Sequence, residues 1–377
     1  MKIIFVYDSI SPIGGGSQQA ILTWIKNFEK FKIEYRLLTS YYSAKYLIKT
    51  KILKKEKMMI IQPSFNASFF LPKFYISPIL TNYIKEQILK FKPDIIQVNE
   101  PSLLDFQIIE FANKNKIQVG SFFHTFYEKF SLLGHLLSFY QNYIFKNTDF
   151  ILTPSFNTFQ LIDKKYLNKK IFKVYYPVKK DFFDKPNFYK KNINNQKKTL
   201  IYIGRLSPEK KLYFILEILK LLPDNYQLKI IGDGVLRDKL KTQTIKNKLE
   251  EKVIFLGYLP ASKIIKIIQK EPTLGVFPSS SETFGITYIE CLACYLPLLV
   301  YDYCISREVI PDGCAIFLNI YDSKLWAKKI IEIFNKDLYF RMKENIKKNY
   351  NKIKFYNENL STKKLIKTYH LILNQHQ

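Results

Sequence analysis

Short apolar runs alternate with longer amphipathic segments along the whole chain. Seven runs in the first half and six in the second have the length and the Ile, Val, Leu and Phe content of buried β-strands. The runs are KIIFVY, YRLLTS, MMIIQ, DIIQV, IQVGSFF, DFILT and IFKVYY, followed by TLIYIG, QLKIIG, VIFLG, TLGVFP, PLLVY and CAIFL. Most segments between them are long enough for a helix, so the pattern predicts two α/β domains, each with a doubly wound parallel sheet.

A polar segment separates the two halves of this pattern. The residues between Val178 and Thr199 are rich in Asn and Lys and have no periodic apolar face, which is typical of a linker. A length of 377 residues also favours two domains over one. The predicted division is 1–178 for the first domain, 179–198 for the linker, 199–340 for the second domain and 341–377 for a basic helical segment that returns to the first domain. Because ligands bind at the carboxyl ends of parallel strands, we expect the two Rossmann-like sheets to face a central cleft.

The chain is strongly basic. It has 59 Lys and Arg residues against 32 Asp and Glu residues, a net charge of +27. Such a charge favours a phosphate-bearing partner, whether nucleic acid, nucleotide or anionic lipid, with background composition as the alternative because lysine is abundant throughout. The sequence has no nucleic-acid-binding signature, and its basic residues do not segregate into one half. We therefore expect no nucleic-acid partner.

Neither export signals nor metal motifs are evident. The start, MKIIFVYDSI, has no cleavage site, and the longest apolar window contains Glu290 and Asp302 and is interrupted by Pro297. Cys291 and Cys294 form a C-x-x-C inside a predicted helix, but no second pair accompanies them, which favours buried thiols in a reducing cytoplasm over zinc. These features predict a cytoplasmic protein without a metal site.

Two strand-to-helix turns carry residues that suit an anion. The turn ISPIGGGSQQA places Gly15 and Gly16 before a helix whose first N–H groups can face a ligand, although a plain tight turn has the same composition. The turn IGRLSPEKKL can aim Arg205 and Lys210 at one diphosphate. A helix N-terminus with solvated charges is the alternative for this second turn.

A third turn, SSETFGITYIE, carries two carboxylates around an apolar run. Glu282 lies at the predicted start of a helix, where the backbone N–H groups of Phe284 and Gly285 are free to meet phosphate oxygens. Glu290 lies about two turns further along the helix. Apolar neighbours surround Glu290, so we expect it to have a binding partner.

Together these motifs resemble the retaining family-4 glycosyltransferases of the GT-B fold. The similarity rests on the Gly-rich turn, GRLSPEKK, IIGDGVLRDKL, FLGYLP and the E-x7-E of SETFGITYIECLACYLP, in this order, and it runs from the first strand to the C-terminal helix. The resemblance implies a GT-B fold and transfer of a hexose, with retention of configuration, from a nucleotide-diphosphate sugar, with a UDP-sugar favoured. It also implies that no metal ion or other cofactor is required.

The resemblance implies a role for each candidate residue. Arg205 and Lys210 match the pair that neutralises the donor diphosphate, Glu290 matches the acid that binds the ribose hydroxyls, and Glu282 matches the acid that contacts the donor sugar. His124 matches a position near the reaction centre, and a buried core histidine is the alternative. The implied catalytic residues are His124 and Glu282, and the implied donor-binding residues are Gly15, Gly16, Arg205, Lys210, Tyr258, Phe284, Gly285, Ile286 and Glu290.

The sequence departs from the family at two places. Tyr295 stands where the family often has glycine, and YDYCISREV stands where the family has a glycine-containing turn. The resemblance therefore does not define the contacts to the nucleotide base.

Clues to the acceptor lie in the first domain. Residues 43–59, here called the basic segment, interleave lysines with apolar residues, which suits an anionic membrane surface, with a solvated helix face as the alternative. The stretches KPDIIQVNEPS and HTFYEKF further resemble bacterial enzymes that glycosylate diacylglycerol. We therefore predict a lipid or lipid-linked glycan acceptor and peripheral attachment to the inner face of a membrane. A transferase that builds a surface polysaccharide on a lipid carrier is the alternative.

Overall fold

The computed structural model describes eight stretches of the chain, which fall into two compact units. The described residues are 1–10, 15–66, 75–99, 102–124, 131–166, 168–184, 197–335 and 337–375. The first unit contains Met1–Tyr176 and Asn359–Gln377, and the second contains Pro177–Glu358. Residues 185–196 of the predicted linker lie outside the described residues, as do 11–14 of the Gly-rich turn and 125–130 of HTFYEKF.

A seven-stranded parallel sheet forms the centre of the first unit. Its strands are β1 (Lys2–Val6), β2 (Glu34–Ser40), β3 (Met58–Ile61), β6 (Ile95–Val98), β7 (Gln118–Phe122), β8 (Phe150–Thr153) and β9 (Lys170–Lys173), and a separate antiparallel pair comprises β4 (Phe65–Asn66) and β5 (Tyr75–Ile76). The order in the sheet is β3-β2-β1-β6-β7-β8-β9. The order reverses between β1 and β6, as in a doubly wound fold.

Helices cover this sheet, which explains why its strands are continuous apolar runs and not alternating ones. They are α1 (Gly16–Lys30), α2 (Tyr41–Lys49), α3 (Asn82–Phe91), α4 (Leu103–Lys114), α5 (Ser131–Asn147), α6 (Phe156–Lys165) and, at the end of the chain, α15 (Glu358–Asn374). Four of them begin where a Ser or Thr side chain accepts a hydrogen bond from the first turn, namely Ser40, Thr81, Ser102 and Ser155.

The last helix, α15, packs into the core of the first unit. The Trp24 indole N–H donates to the Ser361 hydroxyl at 2.9 Å, and the Tyr369 hydroxyl donates to the Gln97 side chain at 3.2 Å, both in buried positions. The predicted segment 341–377 is therefore divided, because only residues from 359 onward belong to the first unit. Residues 341–358 remain with the second unit, where the side chains of Ile346 and Ile353 are fully buried.

The second unit repeats the architecture with six parallel strands. They are β10 (Lys198–Ile203), β11 (Tyr226–Ile231), β12 (Val253–Gly257), β13 (Thr273–Phe277), β14 (Leu298–Tyr301) and β15 (Ala315–Leu318), in the order β12-β11-β10-β13-β14-β15. Its helices are α7 (Leu212–Lys220), α8 (Arg237–Lys246), α9 (Ala261–Lys270), α10 (Ile286–Ala293), α11 (Cys304–Val309), α12 (Ser323–Asn335), α13 (Leu338–Lys348) and α14 (Tyr350–Lys354). The order reverses between β10 and β13, so ligand binding is expected beyond their carboxyl ends.

The predicted α/β fold class is confirmed. Each of the thirteen predicted runs overlaps one strand of the two parallel sheets. The pair β4–β5 was not predicted, because two-residue strands are too short to leave a periodic signal. Within the described ranges, no helix is both long enough and apolar enough to cross a bilayer.

Candidate functional site

Two loops of the second unit meet where its sheet order reverses. The arginine–lysine loop (residues 204–211) follows β10, and the glutamate loop (residues 278–285) follows β13. Lys210 Nζ in the first loop lies 2.5 Å from Glu282 Oε1 in the second. Both side chains are mostly buried, with exposures of 19% and 21%, so water screens this ion pair less than a surface pair. Lys210 and Glu282, which belong to separate sequence motifs, therefore form an ion pair.

Arg205 lies at the start of the arginine–lysine loop and leaves a positive charge uncompensated. Its backbone is held because the Tyr202 hydroxyl donates to the Arg205 carbonyl at 3.0 Å. Its side chain is exposed, and within the described parts of the chain its guanidinium forms no ion pair. Together the two loops carry three positive and two negative side chains, namely Arg205, Lys210 and Lys211 against Glu209 and Glu282. The net positive charge suits an anionic ligand.

Gly285 ends the glutamate loop and precedes α10. It has φ +76°, a left-handed conformation, and a Cβ at this position would lie 2.5 Å from Tyr288 Cδ2. The Phe284 side chain before it is buried, and its ring contacts Tyr356 with centroids 5.6 Å apart. This packing fixes the start of α10 at Ile286, and the first N–H groups of a helix have no partner within it. The N-terminus of α10 therefore begins four residues after Glu282.

Glu290 lies on α10 in an apolar setting. Its neighbours Ile289 and Cys291 are fully buried, and Glu290 itself is partly buried. Burial raises the pKa of Glu290 to about 7, and the nearby charge of Lys179 opposes this rise. The carboxyl group therefore titrates near neutral pH and not in the acidic range of an ordinary glutamate. In the ionised form it can accept hydrogen bonds from ligand hydroxyl groups.

Tyr258 follows β12 at the same edge of the second sheet. Its side chain is 65% exposed, an unusual position for a large aromatic ring. The preceding Gly257 has φ +65° and no atom within 4 Å of an added Cβ, so the turn leaves open space there. An exposed ring beside open space can stack on a planar ligand group.

The reversal point of the first sheet contains polar residues that the sequence did not single out. Asp8 follows β1 and Asn99 follows β6, and both side chains are buried. Asp8 Oδ2 accepts a hydrogen bond from the Ser77 backbone N–H at 2.8 Å, and burial raises the pKa of Asp8. Among the described residues, Asp8 Oδ1 and Asn99 Oδ1 are buried without a donor. The available sequence signal was a polar residue within two positions of the end of an apolar strand.

Gly15 and Gly16 lie near this edge at the start of α1. Gly15 is the N-terminal cap and contributes no side-chain hydrogen bond, and Gly16 is the first helical residue. Gly14, the first glycine of the run, lies outside the described residues. The two described glycines keep the start of α1 free of side chains.

His124 follows β7 in an aromatic cluster of the first unit. Its ring stacks on Phe122 with centroids 4.8 Å apart, and its Nδ1 shares a hydrogen bond with the Tyr176 hydroxyl. Burial lowers the pKa of His124 to about 3, so the imidazole is neutral at physiological pH. A neutral ring can position a substrate but does not supply a positive charge. The catalytic role of His124 stays a prediction.

The two departures from the family have structural explanations. Tyr295 has φ +57°, a left-handed conformation that favours glycine, and its ring stacks on Tyr350 with centroids 5.0 Å apart. In the YDYCISREV turn, Arg307 donates two hydrogen bonds to the Asp302 carboxylate, at 2.8 and 2.7 Å. An ion pair therefore bridges this turn, in which the resemblance predicts a glycine.

Cys291 and Cys294 are buried free thiols. Burial raises the pKa of Cys294 and of Cys291, which keeps both sulfur atoms protonated. In the parts of the chain that the structure describes, no group of three or more His, Cys, Asp or Glu residues could hold a metal ion.

The basic segment is only partly helical. Residues Tyr41–Lys49 form α2, and a short 3-10 helix covers Lys55–Lys57. Leu47 and Leu53 are buried in the unit, so some of the interleaved apolar residues serve its own core. Five lysines of the segment remain exposed, namely Lys45, Lys49, Lys51, Lys54 and Lys55.

Two parallel-sheet α/β domains, the second with cationic and carboxylate residues at the reversal point of its sheet, form the architecture of the GT-B type. The family profile described as Glycosyltransferase Family 4 matches residues 14–181, and that described as Glycosyl transferases group 1 matches residues 184–352. The chain belongs to the family-4 glycosyltransferases.

Curated relatives agree with this membership, and a solved structure shows the same fold. The chain is 29% identical over 195 residues to the O-antigen chain mannosyltransferase RfbU of Salmonella typhimurium, covering 50% of this chain and 52% of the relative. It is 25% identical over 246 residues to the alpha-monoglucosyldiacylglycerol synthase of Streptococcus pneumoniae, covering 59% and 55%. The chain thus spans about half the length of the curated relatives it matches. The pneumococcal O-GlcNAc transferase GtfA, solved with UDP and GlcNAc, has a TM-score of 0.75 at 12% identity over 99% of both chains, which shows the same fold.

Proposed function

We propose that the protein transfers a hexose from a nucleotide-diphosphate sugar, with retention of configuration and without a metal ion. The contact between Lys210 and Glu282, with the exposed Arg205 beside it, carries this proposal. Two cationic side chains and the N-terminus of α10 can neutralise the charge that develops on the diphosphate, which is the task a metal ion performs elsewhere. A UDP-sugar is the favoured donor, and UDP in the similarly folded GtfA structure supports this choice.

Each remaining residue has a place in the proposed reaction. Glu290 holds the ribose hydroxyls, Glu282 contacts the hexose, and His124 contacts the same sugar near its anomeric carbon. The bond between the anomeric carbon and the diphosphate oxygen breaks while the acceptor oxygen bonds to the same face of that carbon. The leaving phosphate accepts the proton of the acceptor hydroxyl. Lys210 then has two partners in succession, Glu282 before the donor binds and the diphosphate afterwards.

We propose a lipid acceptor such as diacylglycerol, used at the inner face of a membrane. The pneumococcal relative is named as a synthase of a glucosyldiacylglycerol, and the match to it covers more of this chain than the match to RfbU. The exposed lysines of the basic segment supply charge for an anionic surface. No nucleic-acid partner is proposed.

Assembly of a surface polysaccharide or of a lipid-carrier oligosaccharide is the second candidate. The relative RfbU, an O-antigen chain mannosyltransferase, favours it with a higher identity of 29%. The two candidates share the donor half of the reaction. They differ in the acceptor hydroxyl, which belongs to glycerol in one case and to a glycan in the other.

The first experiment measures the donor and the acceptor together. A panel of nucleotide sugars is tested for hydrolysis, and then for transfer to diacylglycerol vesicles or to lipid-linked glycans. Arg205→Ala should weaken nucleoside-diphosphate binding by about 1.5 to 3 kcal/mol, the usual loss of a charged contact. Arg341→Ala removes an exposed arginine from α13 and serves as the matched control. Wild-type affinity in the Arg205 variant would contradict the proposed donor site.

A further inference from the structure

Tyr321 lies outside every motif that the sequence indicates, in the loop between β15 and α12. Its hydroxyl donates a hydrogen bond to the Pro278 carbonyl at 2.9 Å, and it also interacts with the Ser280 side chain. Both partners belong to the glutamate loop. The backbone before Tyr321 is itself fixed, because the buried Trp326 indole N–H donates to the Ile320 carbonyl at 2.8 Å. Tyr321 therefore ties the first residues of the glutamate loop to an anchored point.

The ring of Tyr321 contacts the other loop of the site. Lys211 Nζ lies 5.8 Å from the ring centroid, a cation–π contact with the residue directly after Lys210. Lys211 has φ +56°, a left-handed conformation that is unfavourable for a lysine, so an added contact helps to retain it. Tyr301 stacks on the ring at 4.5 Å, and Phe214 meets it edge-on at 5.3 Å. These aromatic contacts hold the ring in place between the two loops.

We propose that Tyr321 is a positioning residue for sugar transfer, which keeps Glu282 and Lys210 in register with the donor. The hydroxyl acts on Glu282 through the backbone of the glutamate loop, and the ring acts on Lys210 through Lys211. This inference rests on the proposed function. The inference goes beyond that function because Tyr321 contacts neither the ligand nor the reacting atoms in the proposed reaction.

The arrangement differs from that of an ordinary core tyrosine. Tyr321 is 39% exposed, and its hydroxyl bonds to a loop of the site and not to the core. Phenylalanine would keep the same stacking on Tyr301 and the same contact with Lys211. The hydroxyl group alone can therefore be removed without disturbing the aromatic packing.

The test compares Tyr321→Phe with Tyr213→Phe, a control on α7 with a similar exposure of 37%. Loss of the hydroxyl and of its contacts with the glutamate loop should lower kcat about three- to tenfold in the Tyr321 variant. The KM for the nucleotide sugar should change less than about twofold, because a misplaced sugar contact matters most in the transition state. The control variant should retain wild-type rates, and the melting temperature of Tyr321→Phe should match that of the control.

A double variant identifies the residue through which Tyr321 acts. If it acts through Glu282, adding Tyr321→Phe to Glu282→Gln should cause almost no further loss of kcat. If the fold-decreases of kcat in the two single variants multiply in the double variant, the inference is wrong. It is also wrong if Tyr321→Phe has the wild-type kcat. Either result leaves the proposed function intact. Wild-type protein that binds no nucleoside diphosphate would overturn the proposed function, and this inference with it.

Discussion

Glu290 offers a test in which pH changes the site without any mutation. Its pKa of about 7 means that most of the carboxyl groups are ionised at pH 8 and most are protonated at pH 6. Ribose hydroxyls donate to the ionised form, so the protonated enzyme must release a proton before it binds the donor well. Affinity for the nucleotide sugar should therefore fall about tenfold between pH 8 and pH 6.

The matched variant is Glu290→Gln, which keeps the shape of the side chain and removes its charge. At pH 8 it should bind the donor about 10- to 150-fold more weakly, corresponding to about 1.5 to 3 kcal/mol for a charged hydrogen bond. At pH 6 the difference from the wild type should shrink about tenfold, because the wild-type carboxyl is then mostly neutral. Removing the opposing charge with Lys179→Met should raise the pKa of Glu290 further and move the loss of affinity to higher pH.

Calorimetry with the intact nucleotide sugar is the suitable assay. A free nucleoside diphosphate is less suitable because its terminal phosphate itself titrates at about pH 6. If the wild type and Glu290→Gln lose affinity in parallel as the pH falls, another group is titrating and the ribose assignment fails. Equal affinities of the two proteins at pH 8 would refute it directly.

The same raised pKa predicts that the unliganded protein becomes less stable as Glu290 ionises, whereas donor binding becomes stronger. The folded-state pKa of Glu290 lies above its ordinary value of 4.5, so the folded protein binds this proton more tightly than the unfolded chain does. The contribution of this proton to the stability of the folded protein is complete below the pKa of Glu290 in the unfolded chain. It is lost as the pH rises through 7. Glu290→Gln should consequently raise the free energy of unfolding of the unliganded protein at pH 8, by up to about 3 kcal/mol.

Two further predictions concern the glutamate loop and the basic segment. Gly285→Ala should lower the free energy of unfolding by about 1 to 3 kcal/mol more than Gly257→Ala, because both positions have positive φ but only the first brings a Cβ against Tyr288. Equal denaturant midpoints would contradict this account. Changing the five exposed lysines of the basic segment to Gln should release the protein from anionic vesicles, at about 1 kcal/mol per lysine at low salt. The control changes four exposed lysines on and just after α3 and α4 to Gln, namely Lys90, Lys92, Lys114 and Lys116, and should leave vesicle binding nearly unchanged.

The fold was accessible from the sequence because both sheets are covered on both faces. Strands such as β8, Phe150–Thr153, are buried at every position and therefore appear as unbroken apolar runs. The place of the last helices was less accessible. Periodicity indicates that residues 341–377 are helical, but it does not indicate which core each helix joins. That choice depends on single contacts, such as the hydrogen bond between Trp24 and Ser361, whose partners lie far apart in the sequence.

The site was accessible only in part, for the same reason. Each motif follows a predicted strand, so its residues could be predicted individually as site residues. They are Arg205, Lys210, Glu282 and Glu290. The pairing of Lys210 with Glu282 joins turns after two strands that are adjacent in the sheet and distant in the chain. The pattern of apolar and polar residues does not predict such a pairing. It also does not predict the hydrogen bond from the Tyr321 hydroxyl to the Pro278 carbonyl.

The pairing changes how variants of the two acids are to be interpreted. From sequence, Glu282 and Lys210 have separate tasks, so removal of Glu282 should leave nucleotide affinity nearly unchanged. In the structure, removal of Glu282 also frees the ammonium group of Lys210, whose charge then acts on the diphosphate without competition. A variant at Glu282 therefore alters the diphosphate site as well as the sugar contact, and retained nucleotide affinity would not by itself show that the residue contacts only the hexose. The charge that acts on Glu290 belongs to Lys179, which is not among the proposed diphosphate-binding residues. Glu290 is therefore the better position at which to separate ribose binding from transfer.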